Sequence, residues 1–468
     1  MVKVKFRNLF ILSLLSILTL FSCIPIGRAT VVYDLEFNIV DAQVNNYTTN
    51  NQKLPSICLL TNETLAIVWE SYGQDGGENG VYGTVIDATT GNNITSEFRV
   101  NDYTSYNQAF ASICALSSEV VAIAWSSWNQ DGSFWGVYTK VYNVITHTSL
   151  TPEIPVNEYT SGYQYEPSIC ALSNDSFAIA WQSNQDAGSY DVYARVFNAT
   201  TGSAITGEFR VNNFTTGSQQ RPSICSLSQD AFAVAWESSN LDGDGYGVFG
   251  VVIDAATGNN LTKQFQINDY TINDQWFCSA CALDNENIAV AWRSNGQDGS
   301  GYGVYATVID TTTGNNITAE LQMNQENFTS QQNPSICALS SDLFIVAWES
   351  ASQDGDGYGV YMRAVNVTTS KSIVPEYQVN NYTTGNQWYS GICALSNKDV
   401  AIVWESDGQD GDGYGIYLST STLASSILSE KSKEIPGYNL YIMISVIGLV
   451  IGTVITVKLR KNQKKDNT

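Results

Sequence analysis

Residues 334–365 read PSICALSSDLFIVAWESASQDGDGYGVYMRAV, and this stretch decides the fold. It contains three apolar runs, around Cys337, before Trp348 and after Gly359, with Ser, Asp and Gly between them. Short runs rich in β-branched and aromatic residues, bounded by such turn formers, are typical of strands. The stretch therefore predicts three consecutive strands joined by short turns.

The same pattern occurs seven times along the chain, with a spacing of 55 or 56 residues. A fourth strand of the Glu-Phe-x-Val-Asn type, such as 97–101, completes each unit except the last. Four strands in each of seven units predict an all-β, seven-bladed β-propeller, with one tryptophan of each unit in the core. These are Trp69, Trp125, Trp181, Trp236, Trp292, Trp348 and Trp404.

The two ends of the repeat region indicate that the ring is closed. An isolated fourth strand, 41–45, precedes the first unit, and the last unit lacks its own fourth strand. We therefore expect the N-terminal strand to complete the last blade, which leaves no exposed sheet edge. Tandem sandwiches would need about 100 residues for each unit, and a β-helix would have shorter repeats.

Composition and charge exclude several classes of protein. The chain has 468 residues, a formal net charge of −23 and one histidine, and 43% of its residues are hydrophobic. That apolar content argues against disorder, and the acidity argues against binding nucleic acid through a basic surface. A histidine-based metal site or catalytic triad has almost no residues to draw on.

The basic ends predict how the protein is placed in the cell. A basic start and an apolar run indicate a secretory signal, although Cys23 also allows a lipoprotein signal. Near the other end, an uncharged run at 440–457 is long enough to span a bilayer. The predicted location is the cell membrane, single-pass, with an extracellular body. Gly448 and Gly452 form a Gly-x-x-x-Gly spacing that favours a homodimer. The predicted segments are a signal peptide (1–29), a propeller ectodomain (30–419), a stem (420–437), a transmembrane helix (438–457) and a cytoplasmic tail (458–468).

Eleven Asn-x-Ser/Thr sequences are candidate glycosylation sites in an extracellular body. Seven fall between the first and second or the third and fourth strands of a unit, and four fall before a first strand. The asparagines are Asn46, Asn62, Asn93, Asn174, Asn198, Asn213, Asn260, Asn316, Asn327, Asn366 and Asn381.

The repeat resembles tandem propeller-type repeats of large surface proteins from bacteria, archaea and ciliates. That resemblance covers about residues 41–418, implies a propeller and implies no particular activity. The Asp-Gly-Asp-Gly element has a weaker similarity to the calcium loops of integrin α-subunit propellers. Oxygen ligands on a glycine-rich loop suit calcium, the one cofactor considered, although an Asp that opens every such loop also suits a purely structural turn. The candidate ligands are Asp242, Asp244, Asp354, Asp356, Asp410 and Asp412.

The loops before first strands and those between second and third strands share one rim, and aromatic residues vary there from blade to blade. Such residues beside amides suit the recognition of a protein or a glycan, although they also suit packing of the loops onto the rim. The candidates are Trp128, Trp135, Tyr163, Tyr165, Trp276, Phe277, Trp388 and Tyr389.

The predicted function is a non-enzymatic surface protein that recognises or adheres to an extracellular protein or carbohydrate. The alternatives are a carbohydrate-active enzyme on the same fold and a structural coat protein. An enzyme needs a cluster of carboxylate, Tyr and Arg that breaks the repeat, and no such cluster stands out in the sequence. Arg221 and Arg293 are assigned to no site, and Cys278 with Cys281 suits a local disulfide better than a metal site.

Overall fold

The computed structural model describes residues 30–428 except residue 187. The predicted signal peptide, transmembrane helix, cytoplasmic tail and Gly448/Gly452 pair lie outside the described residues, as does most of the stem. Within the described part of the chain, no helix is long and apolar enough to cross a membrane.

Residues 34–424 form one compact unit made of seven antiparallel sheets, so the predicted seven-bladed propeller is confirmed. Six of the sheets run in chain order from an innermost to an outermost strand, and in the seventh the N-terminal strand is outermost. Neighbouring innermost strands contact each other around the whole ring, including the last with the first. The innermost strands are β2 (Gln52–Thr61), β6 (Gln108–Ala115), β11 (Gln164–Ser173), β15 (Gln219–Ser228), β19 (Gln275–Ala282), β24 (Gln331–Ser340) and β29 (Gln387–Ala394).

The second and third strands of each blade form long, regular hairpins. The second strands are β3 (Thr64–Tyr72), β7 (Val120–Trp128), β12 (Ser176–Ser183), β16 (Ala231–Ser239), β20 (Asn287–Asn295), β25 (Leu343–Ala351) and β30 (Asp399–Asp407). The third strands are β4 (Asn79–Asp87), β8 (Trp135–Asn143), β13 (Asp191–Asn198), β17 (Tyr246–Asp254), β21 (Tyr302–Asp310), β26 (Tyr358–Asn366) and β31 (Tyr414–Leu428). The last of these extends into the first part of the predicted stem.

The outer edges of the first six blades are short, two-residue strands. They are β5 (Phe98–Arg99), β10 (Ile154–Pro155), β14 (Phe209–Arg210), β18 (Phe265–Gln266), β23 (Leu321–Gln322) and β28 (Tyr377–Gln378), with β9 (Thr148–Ser149), β22 (Asn315–Asn316) and β27 (Lys371–Ser372) pairing beside three of them. In the seventh blade the outer edge is β1 (Thr30–Gln43), which pairs with β31 and closes the ring as expected.

The core lies between adjacent sheets. All seven repeated tryptophans have no exposed surface, and six of them, all except Trp404, pack in clusters with small and branched apolar residues of two blades. Burial of such large rings is a major favourable contribution to folding. Cys278 and Cys281 are both free thiols, so the expected local disulfide is not formed.

The loops that precede the innermost strands lie against the loops between second and third strands. The amide of Tyr72 donates to the carbonyl of Asn51 (2.9 Å), and that of Trp128 donates to Asn107 (2.9 Å). These two sets of loops therefore share one rim, which we call the upper rim.

Candidate functional site

A β-bulge lies near the start of every innermost strand, at the upper rim. In β24 the pairing shifts between Gln332 and Ser335, and the other six innermost strands shift at the equivalent place. One residue in each bulge has a positive φ, between 48° and 56°, although none of the seven is glycine. We call these the ring residues: Leu54, Phe110, Glu166, Arg221, Phe277, Asn333 and Tyr389.

Hydrogen bonds between blades hold six of the seven ring residues, all except Asn333, in this conformation. The amide of Leu54 donates to Glu405 Oε2 (2.8 Å), and that of Phe110 donates to Glu70 Oε1 (2.6 Å). Equivalent bonds reach Ser126, Gln182, Glu237 and Glu349, each of which follows a core tryptophan of the preceding blade. A left-handed backbone costs roughly 1–2 kcal/mol for an L-residue, and these bonds offset that cost. The glutamate that recurs after tryptophan thus joins adjacent blades.

Burial strongly perturbs these glutamates. It raises the pKa of Glu70 and Glu349 to about 8, and that of Glu237 and Glu405 to about 7. All four are nearly or fully buried. At neutral pH a large share of these carboxyls is therefore protonated.

The ring residues and the residues after them line a cavity of about 460 Å³ on the propeller axis, which we call the axial pocket. The backbone around the pocket repeats, but the seven ring side chains do not. Leu54, Phe110 and Phe277 are apolar, whereas the other four are a carboxylate, a guanidinium, an amide and a phenol. The axial pocket is therefore a place where the blades differ in chemistry.

Arg221 links two carboxyl groups at the pocket wall. Its Nη1 donates to Glu237 Oε2 (3.2 Å), and its Nε lies 3.7 Å from Glu166 Oε2. Burial raises the pKa of Glu166, although Arg221 opposes that rise. Burial lowers the pKa of Arg221, but Glu237 and Glu166 outweigh it, so the net shift is upward. The pocket thus holds a fixed cation beside a carboxyl group whose pKa is raised by burial.

Arg293 stands behind this wall and supports it. Its guanidinium lies 4.3 Å from the ring centroid of Phe277, 4.8 Å from that of Trp276 and 4.6 Å from that of Tyr302. Cation–π contacts of this kind stabilise a desolvated guanidinium and fix the aromatic rings. Arg221 and Arg293, which sequence reasoning assigned to no site, both belong to the surroundings of the axial pocket.

The structure divides the eight predicted aromatic residues between several places. Phe277 and Tyr389 line the axial pocket. Trp135 and Tyr165 pack on Phe110, with centroid separations of 6.3 and 6.1 Å. The other four lie away from the pocket lining: Trp276 under Arg293, Trp388 between Tyr358 and Tyr414, and Trp128 with Tyr163 further out on the upper rim.

The predicted calcium ligands have partners within the protein. Asp242 Oδ2 accepts from Asn268 Nδ2 (3.1 Å), and Asp244 Oδ2 accepts from the amide of Asn273 (3.1 Å). The pairs Asp354/Asp356 and Asp410/Asp412 make the same two contacts with the neighbouring loop. Among the described residues, no three or more His, Cys, Asp or Glu side chains are grouped as metal ligands. Calcium binding stays a prediction.

None of the eleven asparagines in Asn-x-Ser/Thr sequences is buried. Asn46, Asn62, Asn174, Asn213, Asn260 and Asn381 are exposed, and the other five are half-buried. Their glycosylation stays a prediction.

Comparisons with known proteins bear on the fold. No protein-family model and no curated protein sequence matches the chain. A Dyadobacter fermentans protein of unknown function is similar in structure, with a TM-score of 0.50 and 9% identity, covering 83% of this chain and 99% of that one. The Fusarium graminearum GH93 α-L-arabinofuranosidase has a TM-score of 0.46 and 12% identity, covering 71% and 99%. The NanB sialidase of Streptococcus pneumoniae has a TM-score of 0.43 and 10% identity, covering 82% and 70%. At these identities the likeness shows the fold alone.

The prediction that the protein is not an enzyme is corrected by these findings. The similar structures include an arabinofuranosidase and a sialidase, which are enzymes. The prediction also depended on the lack of a repeat-breaking cluster of carboxylate, Tyr and Arg. Glu166, Arg221 and Tyr389 form that cluster at the axial pocket.

A signal for the ring residues was present in the sequence. Each lies two positions after the glutamine that opens an innermost strand and one position before Pro, Ala, Cys or Ser. When the seven units are aligned on that glutamine, this column contains apolar, acidic, basic, amide and phenolic side chains. The residues are about 56 positions apart in the chain, so only closure of the ring brings them together.

Proposed function

We propose that the protein is carbohydrate-active and that it binds a saccharide in the axial pocket and cleaves a glycosidic bond there. The observation that carries the proposal is the ring itself. A cavity of about 460 Å³ combines two phenylalanine faces with a carboxyl, a guanidinium, an amide and a phenol. Concave sites of this size with a few convergent polar groups are typical small-molecule sites.

The pairing of aromatic and hydrogen-bonding groups suits a sugar. The C–H faces of a sugar ring stack on aromatic rings such as Phe110 and Phe277. Its hydroxyls need donors and acceptors, which Asn333, Arg221 and Tyr389 supply. Asn333 Nδ2 donates to Glu349 Oε2 (2.9 Å), and this bond fixes the amide at the pocket wall.

Glu166 has the properties of a general acid. Glycoside cleavage commonly uses a carboxylic acid with a raised pKa to protonate the leaving oxygen. Burial raises the pKa of Glu166, and its side chain lines the axial pocket. In the proposed reaction Glu166 gives its proton to the glycosidic oxygen, and the bond from that oxygen to the anomeric carbon breaks. Water then forms a bond to the anomeric carbon and returns a proton to the Glu166 carboxylate. Arg221 then stabilises the carboxylate that forms.

The test is a panel of soluble oligosaccharides incubated with the purified full-length chain, with binding measured by calorimetry and cleavage by release of reducing ends. We expect Glu166→Gln to reduce cleavage at least about 100-fold, the usual range for a general acid, and to keep binding within a few fold. The control is Glu63→Gln, an exposed glutamate at the opposite rim. Cleavage undiminished in E166Q contradicts the role of Glu166, and binding without cleavage by the wild type contradicts the proposed reaction.

A further inference from the structure

A second group of aromatic residues lies on the upper rim beside the axial pocket. Trp128, Phe134, Trp135 and Tyr163 form what we call the aromatic shelf. Trp128 and Trp135 face each other across a hairpin with centroids 5.3 Å apart, and Phe134 stacks on Tyr163 at 4.7 Å. A backbone bridge between Trp135 and Tyr163 joins the second blade to the loop that leads into the third.

The aromatic shelf breaks the repeat at three of its four positions. The residues equivalent to Trp128 are Tyr72, Ser239, Asn295, Ala351 and Asp407 in blades paired in the same way. Phe134 is replaced by Gly245, Gly301, Gly357 and Gly413, and Tyr163 by Asn51, Asn107, Ser218, Asp274, Ser330 and Asn386. Blades without these rings fold equally well, so packing of the propeller does not require them.

The aromatic shelf is continuous with the axial pocket. Phe110 lines the pocket and lies 6.3 Å from Trp135, which lies 5.3 Å from Trp128, which lies 6.4 Å from Tyr163. Each step is comparable with the length of one sugar ring. Phe134, at the outer end, keeps 47% of its surface exposed. The path from the axis to the rim is therefore longer than a single sugar.

The groups that flank the shelf favour a neutral sugar chain. Asn129, Gln130, Ser133, Asn184 and Gln185 supply amides and a hydroxyl, Asp131 and Asp186 in the same loops add carboxylates, and the shelf itself has no lysine or arginine. The formal charge of −23 disfavours an anionic polymer.

We propose that the aromatic shelf is an extended subsite, an inference that rests on the proposed function. It holds the outer units of a neutral oligosaccharide of three or more sugars whose end or scissile bond lies in the axial pocket. The substrate class is thus a neutral oligo- or polysaccharide, not a free monosaccharide or disaccharide.

The test compares affinity for short and long ligands, with linear di- and hexasaccharides of glucose, xylose and arabinose as the probes. We expect the full-length wild type to bind the hexasaccharide of its preferred series at least about tenfold more tightly than the disaccharide, because several aromatic contacts are added. The triple variant Trp128→Ser, Phe134→Ser, Tyr163→Ser should lose this gain and keep the disaccharide affinity. Serine stands at the equivalent positions 239, 189 and 218, so these changes are compatible with the fold.

Phe328→Ser is the matched control, because Phe328 is 90% exposed on the same rim far from the shelf in sequence. Equal affinity of the wild type for both lengths, or an unchanged gain in the triple variant, overturns the extended subsite and leaves the axial pocket standing. No binding to either length in any series overturns the proposed function and the subsite with it. Loss of disaccharide binding in the triple variant also overturns the division into two sites.

Discussion

Glu349 shows how one buried side chain joins two blades. It is fully buried, its Oε1 accepts from the amide of Tyr389, and its Oε2 accepts from Asn333 Nδ2. Burial raises its pKa to about 8. Charging such a group without a cation beside it is unfavourable, so we infer that it serves as a neutral acid.

This inference predicts how stability depends on pH. A folded-state pKa above the unfolded value of about 4.5 means that the folded chain binds more protons between these two values. The contribution of each such group to the free energy of unfolding is fully present below about pH 4.5. It is lost as pH rises through 8, by up to about 1.4 kcal/mol per pH unit. The melting temperature of the wild type should therefore fall between pH 5 and pH 8.

The melting temperature of the Glu349→Gln variant should fall less steeply over the same pH range, because glutamine keeps the hydrogen-bond acceptor and cannot ionise. Glu63→Gln, at an exposed site, should follow the wild type. A melting temperature that is flat or rises between pH 5 and pH 8 would show that these glutamates are already charged in the folded protein.

The asparagine at the end of each outermost strand organises the loops of its blade. Asn380 Oδ1 accepts from the amide of Val360 (2.8 Å). Its Nδ2 lies near three acceptors, Tyr382 O (2.8 Å), Gln387 Oε1 (3.1 Å) and Asp354 Oδ2 (3.3 Å). The recurring Asp and Gln of the upper-rim loops are thus parts of one network, which supports a structural role for both.

Removing this side chain should destabilise the blade. Asn380 is 3% exposed, and Asn380→Ala leaves several buried groups without partners. We expect a loss of about 3 kcal/mol in the free energy of unfolding, measured with urea. The neighbouring Asn381→Ala, at an exposed site, should change it by less than about 0.5 kcal/mol. Equal effects of the two variants would refute the role given to Asn380.

Sequence reasoning identified these recurrences but could not identify their partners. Asp354 and Asn380 are 26 positions apart, and Gln387 belongs to the next blade, so a repeat shows only that each residue is needed. The glutamate of the Glu-Phe-x-Val-Asn strand illustrates the same point. Glu97 accepts from the amides of Asn46 and Tyr47 in the preceding loop, a contact that its position in the sequence does not indicate.

At the level of the whole molecule, closure of the propeller ring depends on the N-terminal strand β1 and the residues that follow it. The amide of Val44 donates to Ile416 O (2.8 Å), and that of Ile416 donates to Asn45 Oδ1 (2.7 Å). Asp41 accepts from the amides of Asn381 and Tyr382 of the preceding loop. Residues from the two ends of the propeller thus complete one blade.

Val44→Asp tests this closure, because Val44 has no exposed surface and packs with Trp69 and Leu418. An uncompensated buried carboxyl should lower the free energy of unfolding by several kcal/mol, seen in a calorimetric melt. Gln43→Asp, at the exposed neighbour, should melt close to the wild type. A Val44→Asp protein as stable as the wild type would mean that the N-terminal strand does not close the ring.

The fold could be read from the sequence because its determinants repeat: tryptophan spacing, turn residues and the displaced outer strand all point to one closed ring. The axial pocket could not, because its function depends on the residues that do not repeat. Glu166, Arg221 and Tyr389 look unrelated along the chain. Their meeting requires both the closed ring and the bulge that turns one side chain of each blade toward the axis.

A crystal structure of the full-length chain with the saccharide that it binds most tightly is the most direct test of the proposed site. The account predicts the sugar in the axial pocket, in contact with Phe110 or Phe277, with a hydroxyl or glycosidic oxygen within hydrogen-bond distance of Glu166. A saccharide bound elsewhere on the propeller, with the axial pocket free of it, would contradict the account.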